Sequence, residues 1–197
     1  MKKNRFYQSI AWIFLCQFAV SFAMAQTNPS TQTTQPVIGY LTIEGAKTGQ
    51  FRGNSVMEGN EGKIECIGFR YSLTVPHDAE SGRSSGKRQH SPVVIVKNID
   101  YSSPQLLQAA ITNEVLKTVV IEFYRRSSSG ALTAYYRITL TNASVALISQ
   151  YGGTASSDNN SNLVNNSNLV EEISLNFQNI SFENIVANTT ATDDWKN

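Results

Sequence analysis

The chain has 197 residues, 41% of them hydrophobic and 16% charged, with a formal net charge of +1. That length suits one domain with a core of its own, and a near-neutral balance without a clustered basic surface argues against nucleic acid or an anionic membrane as partner. Only two cysteines are present, so a fold stapled by several internal disulfides is excluded.

Met1-Lys2-Lys3-Asn4-Arg5 is basic, Ile10 to Phe22 is apolar, and Ala23-Met24-Ala25 supplies small residues at the end of the run. This is the order of a secretory signal, residues 1–25, with cleavage expected after Ala25. Gln17 and Ser21 interrupt the run, which falls short of the about 20 consecutive apolar residues of a membrane span. Cys16 lies in this leader, and Leu15 before it does not suit lipidation. Removing Lys2, Lys3 and Arg5 leaves 13 basic against 15 acidic residues, a net charge of −2, and Cys66 as the lone thiol, expected to be buried or half-buried.

Residues 26–36 are Thr, Gln, Asn, Ser and Pro without apolar periodicity and are expected to be flexible. A single domain is expected over 37–197. Val37 to Ile43 has the β-branched and aromatic content of a strand. Ile67, Phe69, Tyr71, Leu73 and Val75 alternate with Gly68, Arg70, Ser72 and Thr74, which predicts one strand with an apolar face, Cys66 falling on the polar side. Pro76 ends it, and His77 to Ser91 is polar, with Gly82 and Gly86, the pattern of a long exposed loop. Pro92 to Ile99 resumes a strand.

Ser103-Pro104 has the form of an N-cap serine followed by proline, and Leu106, Leu107, Ala110 and Ile111 recur at helical spacing as one apolar stripe, with Asn113 able to close the helix. Lys117 to Arg126 and Leu132 to Ser149 form a hairpin through Ser127 to Gly130. Residues 152–168 are low in complexity and repeat Asn-Asn-Ser-Asn-Leu-Val, a surface loop expansion without a solenoid. Ile173, Leu175 and Phe177 mark a last strand leading into Ile180-Ser181-Phe182. The predicted fold is mainly β, an antiparallel barrel or sandwich with one short helix.

No catalytic constellation emerges. His77 and His90 match no zinc spacing and are expected to be solvated loop residues. No serine lies in Gly-x-Ser-x-Gly, and Cys66 has no histidine placed to activate it. Gly82 to Arg88 departs from a phosphate loop in spacing and in Arg88, and no helix follows. Tyr135, Tyr136, Phe177 and Phe182 are expected in the core rather than on a base-stacking platform. No catalysis, metal or cofactor is expected.

Several ordered segments carry a family resemblance: Thr74-Val75-Pro76-His77-Asp78, Ser81-Gly82-Arg83, Ser85 to Pro92, Lys97-Asn98-Ile99-Asp100, Ser102-Ser103-Pro104-Gln105-Leu106, Val119 to Arg125, Tyr136 to Ala143, Glu171 to Phe177 and Asp193-Asp194-Trp195. Over Val37 to Trp195 the chain resembles the Hcp family of type VI secretion. The resemblance implies a two-sheet antiparallel β-barrel with one short flanking helix. It also implies homo-hexameric rings that stack into a tube, expelled through the secretion apparatus and able to carry effector proteins. Partners would then be other copies of the chain, type VI components and effectors, with no nucleic acid and no membrane after signal removal, and the destination is extracellular, through the periplasm. Residues 75–92 would be a protruding loop reaching a neighbouring subunit or ring, giving Arg83, Lys87, Arg88 and His90 interface roles. The leader and the 152–168 loop depart from the family pattern. They leave open a second reading, an exported monomeric binding module on the same fold.

Overall fold

The computed structural model describes residues 36–128, 130–152 and 169–195. The leader, all but the end of the 26–36 segment, and the loop at 153–168 lie outside the described residues. Twelve strands and one helix follow in chain order among those described: β1 Gly39–Gly45, β2 Gly49–Gln50, β3 Ile64–Cys66, β4 Gly68–Arg70, β5 Leu73–Thr74, β6 Gln89–His90, β7 Val93–Asn98, α1 Ser103–Ile111, β8 Leu116–Arg126, β9 Leu132–Tyr151, β10 Val170–Asn176, β11 Asn179–Asn184 and β12 Thr189–Asp194.

All pairings are antiparallel, and the long β9 serves two sheets. Its first part lies between β8 and β11, giving the order β1-β8-β9-β11-β12, with β2 and β3 on the far side of β1. Its last part pairs with β10, which continues to β7 and β4. Asn142, at φ 49°, sits at the change of sheet, and its side-chain amide donates to Gln178 Oε1 at 2.9 Å. A left-handed residue inserts the bend that lets one strand leave a sheet and join another.

On the other side the segment from Ile64 to Arg70 crosses between the sheets. Its first half pairs with β1 and its second with β7, and Ile67 N–H donates to Val96 O at 2.9 Å. The barrel is therefore bridged there by one crossing chain rather than closed by a continuous ladder. This crossing corrects the expectation of one alternating strand over 67–75. Cys66 and Ile67 are both buried although adjacent, while Leu73 and Val75 are exposed. Changing sheets turns the side-chain parity over.

Between the sheets lie Leu41, Ile43, Ile64, Cys66, Val93, Ile95, Val119, Ile121, Ile138, Leu140, Ile173, Leu175 and Ile180, all buried. Complete burial of an aliphatic side chain of this size contributes about 1.5–3 kcal/mol. Phe177 is in this core, and Tyr135, Tyr136 and Phe182 pack against it.

Helix α1 runs as expected but is turned about its axis. Ser103, Leu106 and Ala109 face inward, whereas Leu107 and Ile111 are exposed. The N-cap position is Ser102 and Pro104 lies one residue later than expected; Asn113, at φ 49°, does close the end. The rotation has a polar cause. Ser103 Oγ donates to Glu171 Oε1 at 2.5 Å and accepts from Lys97 Nζ at 3.1 Å, which holds the first turn against β7 and β10.

Candidate functional site: the projecting arm and its anchor

Among the described residues, Leu73 to His90 is a long and mostly exposed segment. β5 and β6 pair through Leu73 with His90 and Thr74 with Gln89, forming a separate two-stranded ribbon. Beyond it the chain stays ordered by local bonds rather than by a core. Asp78 Oδ1 accepts from Ser81 N at 2.7 Å, Ser81 Oγ at 2.8 Å and Glu80 N at 3.2 Å, and Gly82 takes φ 65° to close the turn. These bonds, first of all that from the Ser81 backbone, hold the Asp78 carboxyl below its ordinary pKa. Asp78 N donates to Arg83 O at 2.8 Å, and Ser85 N to Pro76 O at 3.0 Å. The expected long loop is thus a built arm.

The base of the arm is tied to the end of β12. Arg88 donates from Nε and Nη2 to the two carboxylate oxygens of Asp193, a bidentate ion pair. His90 Nε2 lies 3.0 Å from Asp193 Oδ2 and Nδ1 lies 2.7 Å from the Tyr71 hydroxyl. A carboxylate only accepts, so Nε2 donates to Asp193, while Nδ1 and the Tyr71 hydroxyl share the second bond. The His90 side chain is 4% exposed, with ring centroids of Trp195 at 5.4 Å and Phe177 at 5.5 Å. Trp195 N–H donates to Gln178 O at 2.9 Å, fixing the tail. The Arg88 hydrogen bonds are the main reason the Asp193 carboxyl sits below its ordinary pKa.

The four residues singled out in sequence therefore separate into two pairs. Arg88 and His90 sit at the base, engaged within the chain. Arg83 and Lys87 are exposed along the arm, with no side-chain ion pair among the described residues. His77 is exposed, as expected of a loop histidine, but His90 is not. It needed a carboxylate from the far end of the chain, which no local pattern announces. Among the described residues no group of three or more His, Cys, Asp or Glu side chains is placed to hold a metal ion, and no helix is long and apolar enough to cross a membrane.

Cys66 is buried and its thiol donates to Gly68 O at 3.1 Å; burial pushes its pKa up to about 12. A thiol so far from ionisation is not a nucleophile at neutral pH.

These features define the class as a small two-sheet antiparallel β module with one flanking helix and a tail-anchored arm. Comparison places it more narrowly. The family model described as "Type VI secretion system effector, Hcp" matches residues 40–183, and the chain belongs to the Hcp family, whose members are components of type VI secretion. The "Major exported protein" of Pseudomonas aeruginosa is 31% identical over 166 residues, covering 80% of this chain and 94% of its own. Among solved structures, the secreted protein Hcp3 from Pseudomonas aeruginosa has 27% identity and a TM-score of 0.66, covering 82% of this chain and all of its own. Hcp1 of E. coli EAEC 042 has 24% identity and a TM-score of 0.70 over 81% of this chain and 99% of its own, a likeness of fold.

Proposed function

We propose that this chain is a non-enzymatic structural subunit of type VI secretion, exported from the cell, which assembles into hexameric rings that stack as the inner tube and carry effectors. The observation that supports it most is the family match across residues 40–183, which takes in the whole arm and both sheets apart from β12, the first residue of β1 and the last of β11. The relative named as an exported protein supports the destination, and the basic-apolar leader at 1–25 supplies a route through the periplasm. In this reading Arg83 and Lys87 contact a neighbouring copy, while Arg88 and His90 hold the arm at the angle that contact needs. Rings require two different faces of each subunit to meet head to tail, and a projecting arm is one such face.

Light scattering of the mature chain from Gln26 onward, across a concentration series, tests this. A hexameric mass that survives dilution is expected. A stable monomer at high concentration removes the tube and leaves an exported binding module on the same fold.

A further inference from the structure

The loop between β2 and β3 forms a second exposed segment, with an apolar tip beside two acidic side chains. Residues 53–63 are knit by Gly53 N to Gly62 O at 2.8 Å, Gly62 N to Ser55 O at 2.8 Å, Ser55 N to Lys63 O at 3.2 Å and Asn60 N to Met57 O at 2.8 Å. Gly59 and Gly62 take φ 78° and 71°, conformations that side chains resist. Asn60 is buried and its Oδ1 accepts from the Tyr124 hydroxyl at 3.0 Å, so the loop is bolted to the outer face of β8. A loop held this firmly nevertheless presents Val56, 90% exposed, and Met57 at its tip. Glu58 and Glu61 flank them, both exposed and without an ion-pair partner among the described residues. An ordered loop that spends an apolar tip on solvent is shaped for a partner.

The arm carries exposed Asp78 and Glu80 as well as a basic pair, so what it can offer this loop is that pair of side chains and an apolar element, not a net charge. Leu73 and Val75 are 46% and 41% exposed, beside exposed Arg83 and Lys87. The two segments are attached at opposite edges of one sheet. The acidic knob rises from the β1 edge, and the arm is tied to β12 at the other, in the order β1-β8-β9-β11-β12. Four strand spacings of about 4.8 Å separate those edges by roughly 19 Å.

We propose that the knob, Val56, Met57, Glu58 and Glu61, is the receiving surface for the arm of a second copy of this chain, Leu73, Val75, Arg83 and Lys87. The contact is heterologous, as ring closure requires, and the inference rests on the self-assembly reading above.

The test uses the protein recovered from an expressing bacterium after its own processing, followed by sedimentation velocity over a concentration series at low salt. One variant carries Glu58→Lys and Glu61→Lys, the other Arg83→Glu and Lys87→Glu; all four sites are exposed, and matching thermal melts establish folding. Each variant alone is expected to associate about tenfold or more weakly than the parent. Mixing the two is expected to restore association, because the reversed knob then meets the reversed arm and the native knob the native arm. Parent-like association of both variants overturns the knob–arm contact while leaving the tube reading standing. Weakened variants that fail to recover on mixing also overturn it. A parent that never associates overturns both.

Discussion

Lys97 and Glu171 are charged residues placed where the strands face inward. On β7, Val93 and Ile95 point into the core and Lys97 follows with the same parity; on β10, Ile173 and Leu175 do so with Glu171. The two are direct cross-strand partners, with Nζ to Oε1 at 2.7 Å and exposures of 1% and 0%. Lys97 Nζ also donates to Asp100 Oδ1 at 2.7 Å and Asn98 O at 2.8 Å, and Gln150 Nε2 donates to Glu171 Oε2 at 2.9 Å. Burial acts to raise the Glu171 pKa, but bonds from Lys97, Ser103 and Gln150 outweigh it and the carboxyl ends up below its ordinary value. Removing one partner strands the other, so Lys97→Met is expected to cost about 3–5 kcal/mol in urea unfolding. Lys97→Met with Glu171→Met removes one of the two carboxylates so stranded, Asp100 being the other, and is expected to recover part of that loss. A single variant as stable as the parent would sink this account. In sequence, parity alone places Lys97 on the inner face with Val93 and Ile95, but its partner Glu171 lies 74 positions away, beyond any local pattern.

Among the elements, β8 follows its sequence periodicity, with Val119, Ile121 and Phe123 turned to the core, and the departures elsewhere have structural causes. β1 and β7 also bury Tyr40 and Val94 on their other face, because a neighbouring segment covers it. The 67–75 prediction failed where the chain changes sheets at Ile67, and the α1 stripe failed because Ser103 reaches Glu171 and rotates the helix. In each case the deciding partner, Val96 or Glu171, lies far along the chain from the residues that carry the pattern. The arm shows the same limit, since its anchor joins Arg88 to Asp193, 105 positions apart. If that ion pair positions the arm, Arg88→Ala is expected to speed hydrogen exchange at the Leu73, Gln89 and His90 amides and tryptic cleavage at Arg83 and Lys87, with the core amides of β8 unchanged. Arg83→Ala, exposed along the arm, is expected to leave exchange as it was. Unchanged protection in Arg88→Ala would show that the ribbon and its turns hold the arm unaided.

Over the whole molecule, carboxylates with lowered pKa values link places far apart in sequence. Glu114 accepts from Thr48 N at 2.7 Å, Lys47 N at 2.6 Å and Thr48 Oγ1 at 2.7 Å, closing the β1–β2 turn; the Thr48 backbone bond is the largest cause of its low pKa. Glu122 is opposed by its own burial but bonded by Arg137 at 2.9 Å and Lys63 at 3.1 Å, which prevail and join β8 to β9 and to the root of the knob. Glu171 fixes α1 to both β7 and β10, and Asp193 fixes the arm. The sign follows from the direction of these shifts. Each group has a folded pKa below its unfolded one, so its contribution is complete above the ordinary values of 4.5 for Glu and 3.8 for Asp and is lost as pH falls through the folded values. The urea midpoint is therefore expected to fall continuously as pH drops below about 5, in one cooperative transition, because the four carboxylates brace both sheets, the helix and the arm together. Glu122→Gln should flatten that decline, since an amide keeps the shape but does not titrate. A midpoint independent of pH across this window would mean that the apolar core alone sets the stability, and that the ion pairs serve only to orient the helix, knob and arm upon it.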